Sequence, residues 1–485
     1  MALSARNDWL LGSCGALLII SQYVCVREFG SCFFSTEIIT LTTTVMILLG
    51  PSLAFFASKR LGEKTLYLFG IATFITLVSM PLSIRYLVGL SSKFHLEWLS
   101  MSLLFLLGCL FCSSYFAIFL PRLYDRSVSF RRLYALELLG AIFGLVLIGA
   151  SLAVSWQSLI TLFWLLVVLV IHLSIKKKIL TALALITVGG ASYFYPRIDK
   201  LAMENYLNNY WCVNNARVIE TKYSVIQRID IVQEADGKAI YLDGVPYYQS
   251  GDLHWFNYYI SALPGAMLKD KGKALVIGSG SLNSTNYLLK EGFDVTTVDI
   301  DKNVAEFGLK YFNAINPKHA KFHLVIDDAR AYVHNLDQKF DLIILDTPAP
   351  YHLQTSMLYT KSFFEDLKKH LNPGGIASIN TCSWHLDDEI GSSIARGATE
   401  VFDDITTIQG ESVGLTIIYC SDKLPFNTLD LRNELAKKSE RKFTVFDKAG
   451  LETFLNAANA RAHGIKNPIA LLALSRMHLP RLKQN

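Results

Sequence analysis

The residues best suited to chemistry lie in Lys273–Asp301, KALVIGSGSLNSTNYLLKEGFDVTTVDID. A short apolar run ends at Gly278-Ser279-Gly280, a helical stretch follows, and a second apolar run ends at Asp299. Glycines at such a turn let the backbone approach a ligand, and an acid about twenty residues on can accept from ribose hydroxyls. Two further apolar runs end in acids, Asp327-Asp328 and Asp346. Each acid taken alone could cap a helix by accepting from first-turn N–H groups. The full set in order points instead to candidate groups gathered on one edge of a nucleoside-binding sheet.

These groups can converge only if a sheet aligns the ends of their strands. Strand patterns at Ala274–Ile277, Val295–Val298, His323–Ile326, Leu342–Leu345 and Ile376–Ile379 alternate with helical patterns at Asn283–Lys290, Lys302–Phe312, Arg330–Leu336 and Thr360–His370. That alternation predicts an α/β, mostly parallel, doubly wound Rossmann-like sheet, with ligands beyond the carboxyl ends of the strands. Asn372-Pro373-Gly374-Gly375 reads as a helix stop. Upstream, residues 218–248 read as short strands turning at Asp236-Gly237 and Asp243-Gly244, a small β-hairpin region. Asp252–Leu263 reads as a helix that ends at Pro264.

The front of the chain is of another kind. The whole is 52% hydrophobic and 18% charged, with a mean hydropathy of +0.32, whereas soluble domains are about 25% charged. Seven apolar runs approach the roughly 17–25 residues that span a bilayer: Trp9–Cys25, Glu37–Ser58, Thr65–Val88, Leu96–Leu120, Leu133–Val154, Leu159–Ile175 and the weaker Ile179–Tyr195. The expected organisation is an all-α transmembrane helix bundle over 1–196, a linker and β-strand subdomain over 197–265, and a nucleoside-binding catalytic domain over 266–485. Lys59, Arg60 and Lys64, then Arg122, Arg126, Arg131 and Arg132, then Lys176–Lys178 fill alternate loops, whereas the others hold only Arg27, Arg85 and Lys93. The positive-inside rule puts the N-terminus in the cytoplasm. Seven spans would bring the last domain out on the other side, but a seventh run that does not cross would keep it inside. The expectation taken is a multi-pass protein of the plasma or inner membrane with a cytoplasmic catalytic domain.

Glu37 and Glu137 lie at or within apolar runs and are candidates for an intramembrane role or for interfacial ion pairs, Glu137 with Arg131 and Arg132. The eight cysteines form neither a disulfide framework nor a zinc pattern. Cys109 and Cys112 sit inside an apolar run and read as packing residues. No metal constellation stands out. The net charge of +5 lies partly in the short basic loops, and no basic stripe with interleaved aromatics supports a nucleic-acid partner. A lipid bilayer is the partner that composition supports, and a homo-oligomer is left open.

Residues 219–376, about one third of the chain, resemble the spermidine synthase (polyamine aminopropyltransferase) family, built on the class I methyltransferase fold that binds S-adenosylmethionine (AdoMet). The matching pieces are LDG at 242–244 with Asp252 beyond it, IGSG at 277–280, VDIDKNV at 298–304, DDA at 327–329, FDLIILD at 340–346 and LYTKSFFEDLKKHLNPGGI at 358–376. The resemblance implies a nucleoside donor, decarboxylated AdoMet or AdoMet itself, and an amine-like acceptor. It implies that Asp299 holds the ribose, that Asp328 with Ala329 meets the adenine, and that Gly278 and Gly280 pack against the donor. Asn257 would serve the donor side as an amide. Asp252, Ser281 and Tyr258 would line the amine side, and Asp346 would be the catalytic acid that helps to deprotonate the acceptor.

Departures from the family concentrate on the amine side. Its GGGDGG reads Gly278-Ser279-Gly280-Ser281-Leu282-Asn283, and its DxxDP reads Asp346-Thr347-Pro348-Ala349-Pro350. Its Tyr–(His/Gln)–Glu falls on Phe256-Asn257-Tyr258. Ser281, Ala349 and Tyr258 therefore replace three carboxylates. At about 1.5–3 kcal/mol per charged hydrogen bond, their loss removes on the order of 4–9 kcal/mol of polyamine recognition. The resemblance thus implies aminopropyl transfer. The alternatives are methyl transfer from AdoMet, a catalytically degenerate nucleoside sensor, and an accessory to a transporter-like bundle. Trp384–Glu389 is an acidic stretch that could reach the same edge or simply start a helix.

Overall fold

A computed structural model describes residues 2–33, 37–58, 62–96, 103, 130–175, 177–249, 254–278, 280–312, 315–350, 353–381, 388–410, 415–438, 442–466 and 468–469. Two compact units emerge, 1–235 with 242–245, and 236–241 with 246–485.

The first unit holds helices α1 (Ala2–Phe33), α2 (Glu37–Ser58), α3 (Glu63–Ser92), α4 (Phe130–Val154), α5 (Trp156–Ile175) and α6 (Lys178–Tyr210). Among the described residues, five stretches are long and apolar enough to cross a membrane: Arg6–Cys32, Leu68–Ser92, Arg131–Val154, Trp156–Ser174 and Lys178–Tyr210. In α2 the apolar part is the shorter Ile39–Gly50. The run expected at Leu96–Leu120, Cys109 and Cys112 included, falls outside the described residues except for Leu96 and Leu103. The run that looked weakest belongs to the longest helix, α6, which passes through Pro196 to Tyr210. The boundary expected at 196 therefore falls inside a helix.

Small residues set how α1 and α4 meet. A Cβ on Gly140 would strike the backbone of Gly12, and one on Gly15 would strike the carbonyl of Glu137. A Cβ on Gly144 would lie 3.0 Å from the Ala16 Cα. Ascending positions on both helices face each other, so α1 and α4 run parallel, with backbones as close as small residues permit. The other side of α4 exposes Leu138, Leu139, Ile142, Phe143, Leu145 and Val146. At the start of α4, Arg132 pairs with Asp8 at 2.6 Å. Glu137 is half-buried further along, and Glu37 opens α2.

At the far ends of α1, α3 and α6 lies a charge network that inspection of the apolar runs did not single out. Arg85 donates to Glu28 at 2.7 Å and also to Asp199. Asp199 in turn accepts from Arg228 at 2.8 Å. Arg228 then grips Asp230 through two bonds of 2.6 and 2.9 Å. Arg228 and Asp230 belong to strand β2 (Arg228–Glu234), which pairs antiparallel with β1 (Arg217–Tyr223). All five charged side chains are buried, a tolerable arrangement only because each has an opposite partner.

Strands β3 (Gly237–Leu242) and β4 (Val245–Gln249) complete a four-stranded sheet in chain order. Its last turn is Asp243-Gly244, with φ of 47° and 75°. Two consecutive positive φ values match the right-handed twist of a hairpin, the reason such turns favour Asp-Gly.

In the second unit, residues 254–267 form helix α7 in three pieces, His254–Asn257, a π-helical Tyr258–Ala262 and Leu263–Met267. The helix does not stop at Pro264. The Leu263 N–H reaches back five residues to the Tyr258 carbonyl, and the widened turn admits a proline at the start of the last piece. Then follow β5 (Lys273–Ile277), α8 (Asn283–Lys290), β6 (Asp294–Asp299), α9 (Lys302–Phe307), β7 (Phe322–Ile326), α10 (Ala329–His334), β8 (Phe340–Leu345), α11 (Lys361–Lys369), β9 (Leu371–Asn380), α12 (Glu389–Thr399), β10 (Asp404–Gly410), β11 (Thr416–Ser421), α13 (Thr428–Lys438), β12 (Phe443–Asp447) and α14 (Lys448–Ala457).

The sheet order is β12-β10-β11-β9-β8-β5-β6-β7. Strands β7 to β9 along that row are parallel, and β11 runs antiparallel to both β9 and β10. This is the doubly wound α/β fold that the alternation predicts. Alternate residues of the central strands enter two cores, Leu275, Ile277, Ile343 and Leu345 on one face, Ala274, Val276, Leu342 and Ile344 on the other. Both faces are covered, so β5 and β8 read as unbroken apolar runs. Helix α11 ends at Lys369, as the stop at Asn372–Gly375 implied, and those four residues form a bulge inside β9: Phe340 pairs with Leu371, and Leu342 already pairs with Ile376.

Because Asp199 separates two buried guanidinium groups, Asp199→Ala should cost about 3–5 kcal/mol, the scale for breaking a buried pair. Arg132→Ala, at a partly exposed pair, should cost under about 1 kcal/mol. Thermal unfolding of the detergent-purified variants should show this order, and equal melting temperatures would refute it.

Candidate active site

Where the strand order reverses, β5 lies beside β8, and a crevice between connections leading in opposite directions is where such sheets bind ligands. Gly278 closes β5 with φ of 69°. A Cβ there would lie 2.5 Å from the Asp346 carbonyl and 2.8 Å from the Thr347 side chain, so the turn admits only glycine. Gly280 is enclosed in the same way, its Cβ position 2.7 Å from Val304 and 3.0 Å from the Tyr247 ring. Leu282 sits at φ 59°, left-handed, where the GGGDGG motif carries a glycine. Its side chain is buried with Ile315 and Phe322, and packing offsets a backbone conformation that costs about 1–2 kcal/mol.

Asp346 follows β8 and is 5% exposed. Its Oδ2 accepts from Ser284 at 2.9 Å and from Asn257 at 3.1 Å. The Asn257 amide also donates to Ser284 at 3.0 Å. Burial pushes the Asp346 carboxyl up to about 6, and the Ser284 and Asn257 bonds partly oppose that rise. Neutral donors favour the ionised form less than a cation would, so burial prevails. The Asn257 Oδ1 is buried with no partner among the described residues, an acceptor still available to a ligand. The Tyr247 hydroxyl donates to the Asp346 carbonyl at 3.0 Å. A carboxyl of this kind can take a proton from a neighbouring group near neutral pH.

The other acids close the neighbouring strands. Asp299 ends β6, and its Oδ1 accepts from the Asp301 N–H at 2.8 Å. Asp327 joins it through a backbone bond to the Asp299 carbonyl at 3.1 Å. Asp328 is exposed and caps α10, accepting from Arg330 and Ala331 N–H at 3.0 Å each, and Ala329 is the first residue of that helix. Capping, the bland reading of this acid, is thus realised, and its second oxygen is not used by the cap.

On the amine side, Ser281 is buried and its hydroxyl accepts from Asn283 N–H at 3.3 Å. Tyr258 lies in the π-helical turn next to Asn257, edge-on to Tyr259 and Tyr287. Ala349 packs against the core. Asp252 lies outside the described residues, as do Trp384–Asp387; Asp388 caps α12 by accepting from Gly391 N–H at 2.6 Å. Gly278, Asn257 and Asp346 thus come together, while Asp299 ends β6 and Asp328 caps α10 beyond β7. Sequence reasoning missed Ser284 and Tyr247. The position of Ser284 in the first turn after the glycines was the available signal; nothing local marked Tyr247.

Gly278→Ala should lower thermal stability by more than about 1 kcal/mol, since it adds a left-handed alanine to a backbone clash. Gly292→Ala, also at positive φ but with open space around it, isolates the backbone part. Similar melting temperatures for the two variants would show that the Gly278 turn is not closed by Asp346.

Comparison with known proteins agrees on where the chain belongs. The profile described as Spermine/spermidine synthase domain matches residues 254–411. A polyamine aminopropyltransferase of Thermoplasma acidophilum is 30% identical over 199 residues, 40% of this chain and 71% of its own length. That of Klebsiella pneumoniae is 29% identical over 214 residues, 43% of this chain and 73% of its own. The crystal structure of spermidine synthase from Thermotoga maritima superposes with a TM-score of 0.41 at 22% identity, over 50% of this chain and 87% of that one.

Proposed function

The chain belongs to the spermine/spermidine synthase family of polyamine aminopropyltransferases, and from that premise we propose that it is a membrane-bound transferase moving an aminopropyl group from decarboxylated AdoMet to an amine. The observation that carries the reading is the buried Asp346 carboxyl, pushed up to about 6, beside Gly278 at the strand switch. Five helices among the described residues, long and apolar enough to cross a membrane, support the membrane part of this reading.

In this reading Asp299 holds the ribose hydroxyls and Asp328 with Ala329 meets the adenine. Gly278 and Gly280 give the sulfonium nucleoside its close approach. Asn257 offers its unpartnered oxygen to the donor tail, and Ser281, Tyr258 and Asp252 line the acceptor side. An alkyl ammonium, with a pKa near 10.4, has no free pair until it loses a proton. Asp346 accepts that proton. The amine nitrogen then forms a bond to the carbon beside sulfur, the carbon–sulfur bond breaks, and its electron pair leaves with methylthioadenosine. An ionised Asp346 also stabilises the cationic donor.

One observation favours a second reading. Ser281, Tyr258 and Ala349 leave the amine side without three acids, which suits the methyl transfer of ordinary AdoMet better than capture of a polyamine. Product analysis separates the two, methylthioadenosine from the first and adenosylhomocysteine from the second. Binding of either donor without turnover would leave a nucleoside sensor.

Asp346→Asn should lower kcat by about 10²–10⁴-fold, the usual worth of a positioned base. The active form is the carboxylate, so kcat/KM should rise with pH through a limb near 6 and level off above it. Ser284→Ala removes a bond that favours the ionised form, so the limb should move up, by on the order of one unit. A limb that stays in place or moves down would remove Asp346 from the base role.

A further inference from the structure

Helix directions within the first unit bear on which side of the membrane the rest of the chain occupies. At one end Arg6 in α1 donates to the Leu173 carbonyl at the end of α5 at 2.9 Å, and Arg132 at the start of α4 pairs with Asp8. His172 and Thr181 join the end of α5 to the start of α6 there, at 2.9 Å. This end therefore carries Arg6, Arg131, Arg132, Lys177 and Lys178.

The opposite end is fixed equally well. Glu28 of α1, Arg85 of α3 and Asp199 of α6 meet there, and Asn205 of α6 donates to the Tyr86 carbonyl of α3 at 2.9 Å. Trp156, the first residue of α5, donates to Tyr195 of α6 at 2.8 Å and stacks on Tyr223 with ring centres 4.9 Å apart. Arg27 donates to the Ser224 and Ile226 carbonyls between β1 and β2, at 2.9 and 2.6 Å. Helices α1, α3, α4 and α6 thus run one way and α5 the other. Helix α6 runs from the basic end to the opposite one, and the β1–β2 hairpin is built onto that opposite end.

Lys and Arg in short loops mark the cytoplasmic face. Lys64 opens α3, Arg131 and Arg132 open α4, and Lys177 and Lys178 open α6, all at the starts of the parallel helices. Of the basic residues near the far end, Arg85 is buried between acids and Arg27 is bound to the hairpin, which leaves Lys93, Arg197 and Lys200 exposed there, against Lys64, Arg131, Arg132, Lys177 and Lys178 at the helix starts and Arg6 beside them. No candidate span follows Tyr210 among the described residues.

We infer that the chain beyond Tyr210, with its aminopropyltransferase-type site, is exposed on the extracytoplasmic side of the membrane, contrary to the cytoplasmic expectation. The inference rests on reading the helices as membrane spans. A sulfonium nucleoside is permanently charged and does not cross lipid unaided, so on this side the donor requires a carrier or a local source.

Among the described residues, Cys212 is an exposed free thiol just after α6, whereas Cys14, Cys25, Cys32 and Cys420 are buried. With Cys109, Cys112 and Cys382 replaced by serine, intact cells expressing the otherwise full chain should label with a membrane-impermeant maleimide, and adding Cys212→Ser should bring labelling down to its background. Lys178→Cys in the Cys212→Ser chain, at the basic end, should label only after permeabilisation. Any other pattern on these two positions overturns the inference: the reverse order, both labelled in intact cells, or neither. Release of the protein by alkaline carbonate would instead overturn the reading of the helices as spans, so the two failures are distinguishable.

Discussion

A carboxyl group removed from water must be compensated or stay protonated, and Asp346 is held between those outcomes. Among the described residues it has two neutral side-chain donors, Ser284 and Asn257, and no cation. Much of the surrounding fold serves that balance. The reversal of strand order brings β5 against β8, Gly278 brings its own turn against the Asp346 carbonyl, and the π-helical turn after Asn257 lets α7 run on through Pro264. A cation beside Asp346 would lower its affinity for protons; a fully apolar wall would raise it too far for turnover at neutral pH.

The first unit meets the cost of buried charge by the opposite device. Glu28, Arg85, Asp199, Arg228 and Asp230 compensate one another with full charges. Such pairing gives little net stability over an apolar replacement but strongly penalises any arrangement that separates the partners. Three helices and a hairpin are therefore held in one register by groups that cannot be left alone. Flexibility of the carboxyl's protonation state is useful at Asp346, whereas fixed charge is useful where elements must be locked.

Some of this was legible in the residues. The order of strands and helices in the second unit followed from apolar runs alternating with helical patterns, and α8 has the bounds read for it, Asn283–Lys290. The Asp-Gly hairpin turn was legible because few residue pairs tolerate two positive φ values. What failed to show were features whose cause lies far along the chain. Pro264 looked like a terminator because the π turn that accommodates it depends on local hydrogen bonding shifted by one residue. Asn372–Gly375 read as a helix stop, and α11 does end just before it, but the bulge it forms in β9 is defined only against β8. Glu28 and Asp199 passed unremarked, and Arg85 was counted with the loop residues although it lies buried within α3, since a buried ion is recognisable only beside its partner.

Amino-acid order alone determined the apolar helices, the doubly wound sheet and the row of acids at its strand ends, because periodicity and turn chemistry act over a few residues. Tertiary structure alone decided that Asp346 is buried against Ser284 and Asn257, that Asp328 caps α10, and which end of the helices carries the hairpin. Those outcomes depend on desolvation and on contacts between distant segments, and neither has a local signature.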